Sequence, residues 1–157
     1  MKTCKDIMTK NPCCLSADET VQRAAAQMLE EDIGTVLVCE PSTERLLGIV
    51  TDRDIAIKLV APCLKADTPL KTIMTQAPLY CLESDSVDRA LDLMTEHQVR
   101  RIPVVDGDQH LVGIISQGDI ATRMREVQKT ADMVEKVSRP PSSTYRGEHL
   151  EGELNRL

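Results

Sequence analysis

Two short segments of this 157-residue sequence set a hydroxyl three positions ahead of a carboxylate: Thr51-Asp52-Arg53-Asp54 and Ser116-Gln117-Gly118-Asp119. Each follows a glycine and two β-branched residues, Gly48-Ile49-Val50 and Gly113-Ile114-Ile115. That pattern reads as a short buried strand running into a helix N-terminus. A single S/T-x-x-D is a capping box, in which hydroxyl and acid satisfy N–H groups that the first helical turn leaves free. Two copies, each behind a buried strand, allow more. A helix N-terminus offers N–H groups and partial positive charge to a phosphate, and an aspartate beside it can accept hydrogen bonds from ribose hydroxyls. Arg53 lies inside the first motif, whereas Gln117-Gly118 bring no local cation to the second. The two sites should therefore differ in affinity or in phosphate preference.

Other reactive side chains form no catalytic constellation. His97 and His110 have no paired nucleophile or acid in the sequence pattern and read as surface residues, with no metal site expected. The cysteines are Cys4, Cys13, Cys14, Cys39, Cys63 and Cys81, with no C-x-x-C pair and no zinc-type spacing. Most are expected to be small buried hydrophobes. Cys14 and Cys39 fall on strands that should be parallel neighbours, so they are either buried free thiols or a disulfide across one sheet. Phe and Trp are absent and the only aromatics are Tyr80 and Tyr145, so base recognition must use aliphatic walls and backbone groups. A net charge of −6 argues against nucleic acid as partner. The N-terminal residues show no apolar signal core and no 18-residue apolar run occurs, so a cytoplasmic protein without a membrane span is expected.

The elements that must hold these groups come as a duplication. Ile7-Met8-Thr9 recurs as Ile73-Met74-Thr75, Val21 and Ala24 as Val87 and Ala90, and Met28 as Met94, all 66 positions apart. After Val38 and Val104 one extra residue in the first copy changes the offset to 65. The first copy reads as a strand at Pro12–Leu15 and a helix capped by Asp18, with Val21, Ala24, Ala25, Met28 and Leu29 facing a core. A hairpin of Thr35–Cys39 and Leu46–Val50 follows, then a helix from Thr51 to about Val60. The second copy repeats this from Tyr80, with Ser84 as helix cap and a final helix from Gln117 towards Val137. Each unit is β-α-β-β-α with a right-handed crossover. Three strands under two helices leave one sheet face bare, so the copies should pack face to face about a pseudo-twofold axis, an α/β (α+β) fold. The expected divisions are 1–66 and 67–137 as repeats, the first including the linker, and 138–157 as a flexible polar tail.

The paired motifs, together with Asp6-Ile7-Met8-Thr9 and Arg100-Arg101-Ile102-Pro103-Val104, resemble a tandem of CBS domains, a Bateman module, over roughly residues 5 to 126. Glu96-His97-Gln98-Val99-Arg100-Arg101 and Asp32-Ile33-Gly34 are similar to small stand-alone bacterial members of the hypoxia or stress type. The resemblance implies a non-enzymatic sensor of AMP, ADP, ATP or S-adenosylmethionine, with no required cofactor. Thr51 with Asp54 and Ser116 with Asp119 would hold the ribose. Leu15, Val36, Leu37, Leu82, Ile102 and Pro103 would wall the adenine, and Arg53, Arg100 and Arg101 would meet phosphate. It further implies a homodimer, built on exposed helices that include those of Met28 and Met94, and an effector protein. The alternative is a stress-linked redox or structural protein with vestigial clefts and a Cys14–Cys39 bond.

Overall fold

A computed structural model describes residues 2–123 together with Val134, Glu135, Val137 and Ser138. The elements run α1 (Cys4–Ile7), β1 (Thr9–Lys10), β2 (Cys14–Leu15), α2 (Val21–Glu31), β3 (Thr35–Cys39), β4 (Leu46–Thr51) and α3 (Asp52–Asp54). A π-helical turn spans Ile55–Val60. Then follow α4 (Leu70–Ile73), β5 (Thr75–Gln76), β6 (Cys81–Leu82), α5 (Val87–His97), β7 (Arg101–Val105), β8 (Leu111–Ser116) and α6 (Gln117–Arg123). No helix among the described residues is long and apolar enough to cross a membrane.

The duplication holds in register. β2 pairs parallel with β3 and β6 with β7, while β3–β4 and β7–β8 are antiparallel hairpins. Each sheet has four strands where the sequence suggested three, because the repeats exchange their leading segments. The orders are β2-β3-β4-β5 and β1-β8-β7-β6. Thr9 therefore lies opposite Ile114 in the second repeat, and Thr75 opposite Ile49 in the first. The short helices follow their strands. Cys4, Ile7 and Met8 are buried with Val87, Met94, Ile102 and Ile115, while Leu70 and Ile73 are buried with Val21, Met28, Val36 and Val50.

The exchange explains the glycines of the two G-I-[VI]-[TS] stretches. Neither has a positive φ; what matters is close approach. A Cβ on Gly48 would meet Met74 Sδ at 2.6 Å and Thr75 O at 3.1 Å, and one on Gly113 would run into Met8. The exchanged methionine fills the space that a side chain would need.

Backbone bonds from the same segments also close the helix starts, whose first N–H groups have no partner inside a helix. Val21 N donates to Thr68 O and Gln22 N to Ala66 O, while Val87 N donates to Lys2 O. The side-chain caps are Thr20 and Ser86, each accepting from the N–H three residues on; Asp18 and Ser84 are not the caps. In α2, Val21, Ala24 and Met28 are buried but Ala25 is exposed and Leu29 is 84% exposed. One small sheet covers only a narrow stripe of this helix. Met28 and Met94 both point inward, so neither belongs to an outer surface.

All five residues of β3 are buried, as are Ile102–Val105 of β7. Val36 and Val38 face the helices of their own repeat. By alternation, Thr35, Leu37 and Cys39 face the other way, where burial requires the second repeat. The hairpin tips touch as well: Leu111 N donates to Glu44 O at 3.1 Å and Arg45 Nη2 to Gln109 Oε1 at 2.9 Å. This is the face-to-face arrangement. Beyond Arg123, Val134, Glu135, Val137 and Ser138 are helical, and Val137 is buried in the second core. The polar tail after Ser138 lies outside the described residues.

Candidate functional site

Both S/T-x-x-D motifs form the capping box that their spacing implies. Asp54 Oδ2 accepts from Thr51 N (2.9 Å) and Thr51 Oγ1 (2.8 Å), and Asp54 N donates to Thr51 Oγ1 (3.1 Å). The second copy matches: Asp119 Oδ2 accepts from Ser116 N (2.8 Å) and Oγ (2.6 Å), and Asp119 N donates to Ser116 Oγ (3.1 Å). In each case the box occupies one carboxylate oxygen and leaves the other turned outwards from it.

The exchanged segments supply what surrounds that second oxygen. Thr9 Oγ1 donates to Asp119 Oδ1 at 3.3 Å. On the first site Lys58 Nζ holds Asp54 Oδ1 at 2.8 Å, donates to Ile73 O at 3.0 Å, and lies 3.4 Å from Thr75 Oγ1. So each acid sits where one repeat's motif meets the other's I-M-T segment. Thr9, Thr75 and Lys58 were not among the expected site residues. The repeated I-M-T was visible, but nothing local to it indicated strand exchange.

Burial pushes the Asp54 pKa up, but hydrogen bonds from Lys58 and Thr51 and the Lys58 charge outweigh it, so the carboxyl sits below its ordinary value. A depressed folded pKa adds stability that is fully present above the unfolded value, about 4, and is lost as pH falls through the folded one. Asp54→Asn is therefore expected to lower unfolding free energy by about 1 kcal/mol at neutral pH. Urea titrations at pH 7 and pH 3 should show that gap shrinking with acid. A gap independent of pH would contradict the ion pair.

The other expected site residues scatter. Arg53 is exposed on α3. Arg100 presents its carbonyl to Gln117 N at 3.0 Å, against the second motif. Arg101 reaches back over Gly34, where a Cβ would lie 3.8 Å from its Nη1 and 3.0 Å from Asp52 Oδ2. Leu15, Val36 and Ile102 spend their side chains in the two helix-side cores, which leaves only backbone for a ligand. Leu37 and Pro103 are buried on the inter-repeat side, and Leu82 is 37% exposed. Thr35, which pairs with Thr51 in register, is buried, and its Oγ1 has no hydrogen-bond partner among the described residues. Opposed antiparallel residues share a sheet face, so this hydroxyl lies on the Thr51 side of the sheet.

Cys14 and Cys39 are disulfide-bonded, with a Cα–Cα separation of 6.2 Å. The bond borders a cavity of about 410 Å³ whose lining includes Pro12, Leu15, Ser16, Glu40, Glu44 and Leu111. Thr51 pairs with Thr35 at the far end of β3, so this cavity is separate from the Thr51–Asp54 box. Of the remaining cysteines Cys4 and Cys81 are buried, whereas Cys63 is exposed rather than part of a core. Asp106, Asp108 and His110 bring ligand-type atoms within 4.8 Å of one another. Asp106 there completes the hairpin turn, accepting from Asp108 N and His110 N at 2.9 Å each and facing His110 Nδ1 at 3.0 Å.

Comparison with known proteins agrees with this architecture. The CBS domain family model matches residues 4–61 and 70–126. Hypoxic response protein 1 of Mycobacterium tuberculosis is 39% identical over 127 residues, covering 80% of this chain and 87% of that protein. Its crystal structure, described with two coordinated zinc ions, superposes with a TM-score of 0.72 over 78% of this chain and 99% of that one. CBSX2 in complex with AMP is 26% identical, with a TM-score of 0.70 over 82% of this chain and 99% of that one. The CBS domain pair of protein MJ0100, complexed with 5'-methylthioadenosine and S-adenosyl-L-methionine, is 26% identical, with a TM-score of 0.70 over 78% of this chain and 95% of that one. With the one domain model matched twice in tandem and two exchanged β-α-β-β-α units to account for it, this chain belongs to the CBS domain family.

Proposed function

We propose that this chain is a non-enzymatic sensor that binds adenosyl ligands at the two seams where an S/T-x-x-D box meets the other repeat's I-M-T segment. The observation that carries the reading is the pairing itself. Two carboxylates stand at equivalent seams, each with one oxygen in a cap and the other held by a polar side chain, Thr9 for Asp119 and Lys58 for Asp54. Vicinal ribose hydroxyls are the donors such an oxygen suits. The Thr35 hydroxyl, without a partner among the described residues, supports it, because such a buried hydroxyl costs free energy that a ligand atom or water would recover. AMP and S-adenosylmethionine in the relatives point the same way. Arg53, Arg100 and Arg101 are the proposed phosphate cations, with the first site favouring phosphate-rich ligands.

The signal would be a change in how the repeats sit together, transmitted because ligand binds one arrangement better than another. Leu29 on α2 and Ile57 and Val60 on the π-helical turn are exposed apolar side chains that a homodimer or an effector protein would cover. Calorimetry with AMP, ADP, ATP and S-adenosylmethionine tests the reading. Asp54→Asn and Asp119→Asn should each weaken the site they belong to by about tenfold, the loss of roughly one charged hydrogen bond. No heat with any ligand, or binding untouched in both variants, would sink it. The Cys14–Cys39 bond favours a second reading, a redox or structural protein with vestigial clefts, which gains only if every ligand fails.

A further inference from the structure

We infer that Lys58 is the specificity-determining residue of the Thr51–Asp54 site: it makes that site select 5'-phosphorylated adenosine over adenosine. The inference rests on the adenosyl reading above and names the ligand class for one of its two sites. The argument begins with which oxygen is open. Asp54 Oδ2 already accepts two hydrogen bonds from Thr51, so an incoming ribose must use Oδ1. Lys58 holds that oxygen at 2.8 Å. The remaining donors of its ammonium are spent on Ile73 O at 3.0 Å and Thr75 Oγ1 at 3.4 Å. The resting site thus carries its own counter-ion, tied to the segment exchanged in from the second repeat.

A ribose donating to Oδ1 must displace this ammonium or share the oxygen with it. The Asp54 side chain is only 17% exposed, so water compensates poorly for the broken pair, while the Lys58 side chain is 41% exposed and can swing on its stem. A nucleoside without phosphate leaves the cation with neutral partners alone. A 5'-phosphate on the same ligand returns an anion to it, and charge-assisted bonds to phosphate are among the stronger hydrogen bonds. The cation therefore opposes the neutral ligand and favours the anionic one. Arg53, one residue before Asp54 and exposed, adds to the positive field without touching the carboxylate in this state.

The test measures AMP and adenosine affinity by calorimetry in an Asp119→Asn background, which weakens the second site about tenfold so that the first dominates the signal. AMP should bind at least about tenfold more tightly than adenosine. Lys58→Met should reduce that ratio to about threefold or less, weakening AMP while adenosine holds or improves, and Lys58→Arg should keep most of the preference. Thermal melts check that each variant is folded. An unchanged ratio in Lys58→Met, with AMP still bound, overturns the inference and leaves the adenosyl reading standing. A ratio that collapses equally in Lys58→Arg, or both ligands lost together in a folded Lys58→Met, marks a packing role and also overturns it. A wild-type chain that binds neither AMP nor adenosine overturns this inference, and the adenosyl reading falls with it only if ADP, ATP and S-adenosylmethionine also give no heat.

Discussion

Ile7→Ala is expected to destabilise the protein by about 2–5 kcal/mol, with the damage falling in the repeat that Ile7 does not belong to by sequence. Ile7 has no exposed surface and is packed among Val87, Met94, Ile102 and Ile115. Truncating it removes three carbons from a core that cannot collapse easily, because α1 is fixed at both ends. Cys4 N donates to Asp85 O and Lys5 N to Glu83 O, and β1 is paired with β8 just beyond. Both the transfer loss and a cavity then remain. Urea unfolding of a double-mutant cycle locates the effect. Ile7→Ala and Met94→Ala should couple by more than about 0.5 kcal/mol, whereas Ile7→Ala and Met28→Ala, in separate cores, should add. Coupling with Met28 and additivity with Met94 would place α1 on the wrong repeat. The mirror residue, Ile73, is 2% exposed in the first core. Each repeat thus lacks part of its core without the other, and unfolding should be a single transition.

What the sequence shows of this arrangement follows from how local each signal is. The hydrophobic period of α2 and α5 and the 66-to-65 change of offset are local, and both reappear unchanged in the strands and helices. The exchange of β1 and β5 is not local. A strand of two residues has no period to read, and its partner is chosen by a register more than one hundred residues away for Thr9 and Ile114. The period of α2 places its stripe but not the stripe's width, which is why Leu29 proves to be outside. Thr20 rather than Asp18 caps α2 because the exchanged segment fixes the backbone there, through Val21 N to Thr68 O and the Thr20–Pro69 bridge. Lys58 did carry a signal, since it stands four positions after Asp54, the spacing of a helical ion pair. Arg53 lies closer in sequence, yet Lys58 is the cation at the carboxylate. The departure from a regular helix at Ile55–Val60 falls at this same residue, and π turns are common at functional sites.

Breaking the Cys14–Cys39 bond should cost about 3 kcal/mol and lower the melting temperature by roughly 10 °C. The size comes from chain entropy: the bond closes a 25-residue separation, and removing it frees the unfolded chain by about that amount. The loop it closes contains β2, α2 and β3, and because the repeats share their cores the loss lowers the stability of the whole cooperative unit. Cys14→Ala is the clean variant, because Cys14 is exposed whereas Cys39 is 6% exposed in β3. A core cavity therefore does not confuse the result. Wild type under reductant should match Cys14→Ala, and reductant should leave Cys14→Ala itself unmoved. If it still loses stability, the Cys14–Cys39 bond does not account for the effect, and the free thiols Cys4 and Cys81, both buried in the second core, are where to look. The bond lies at the Cys39 end of β3 and the Thr51–Asp54 box at the Thr35 end. Because β3 joins them as one buried strand, AMP affinity in oxidised and reduced protein tells whether the disulfide acts on the site or only on stability. Equal affinity with unequal melting temperature would make it a staple.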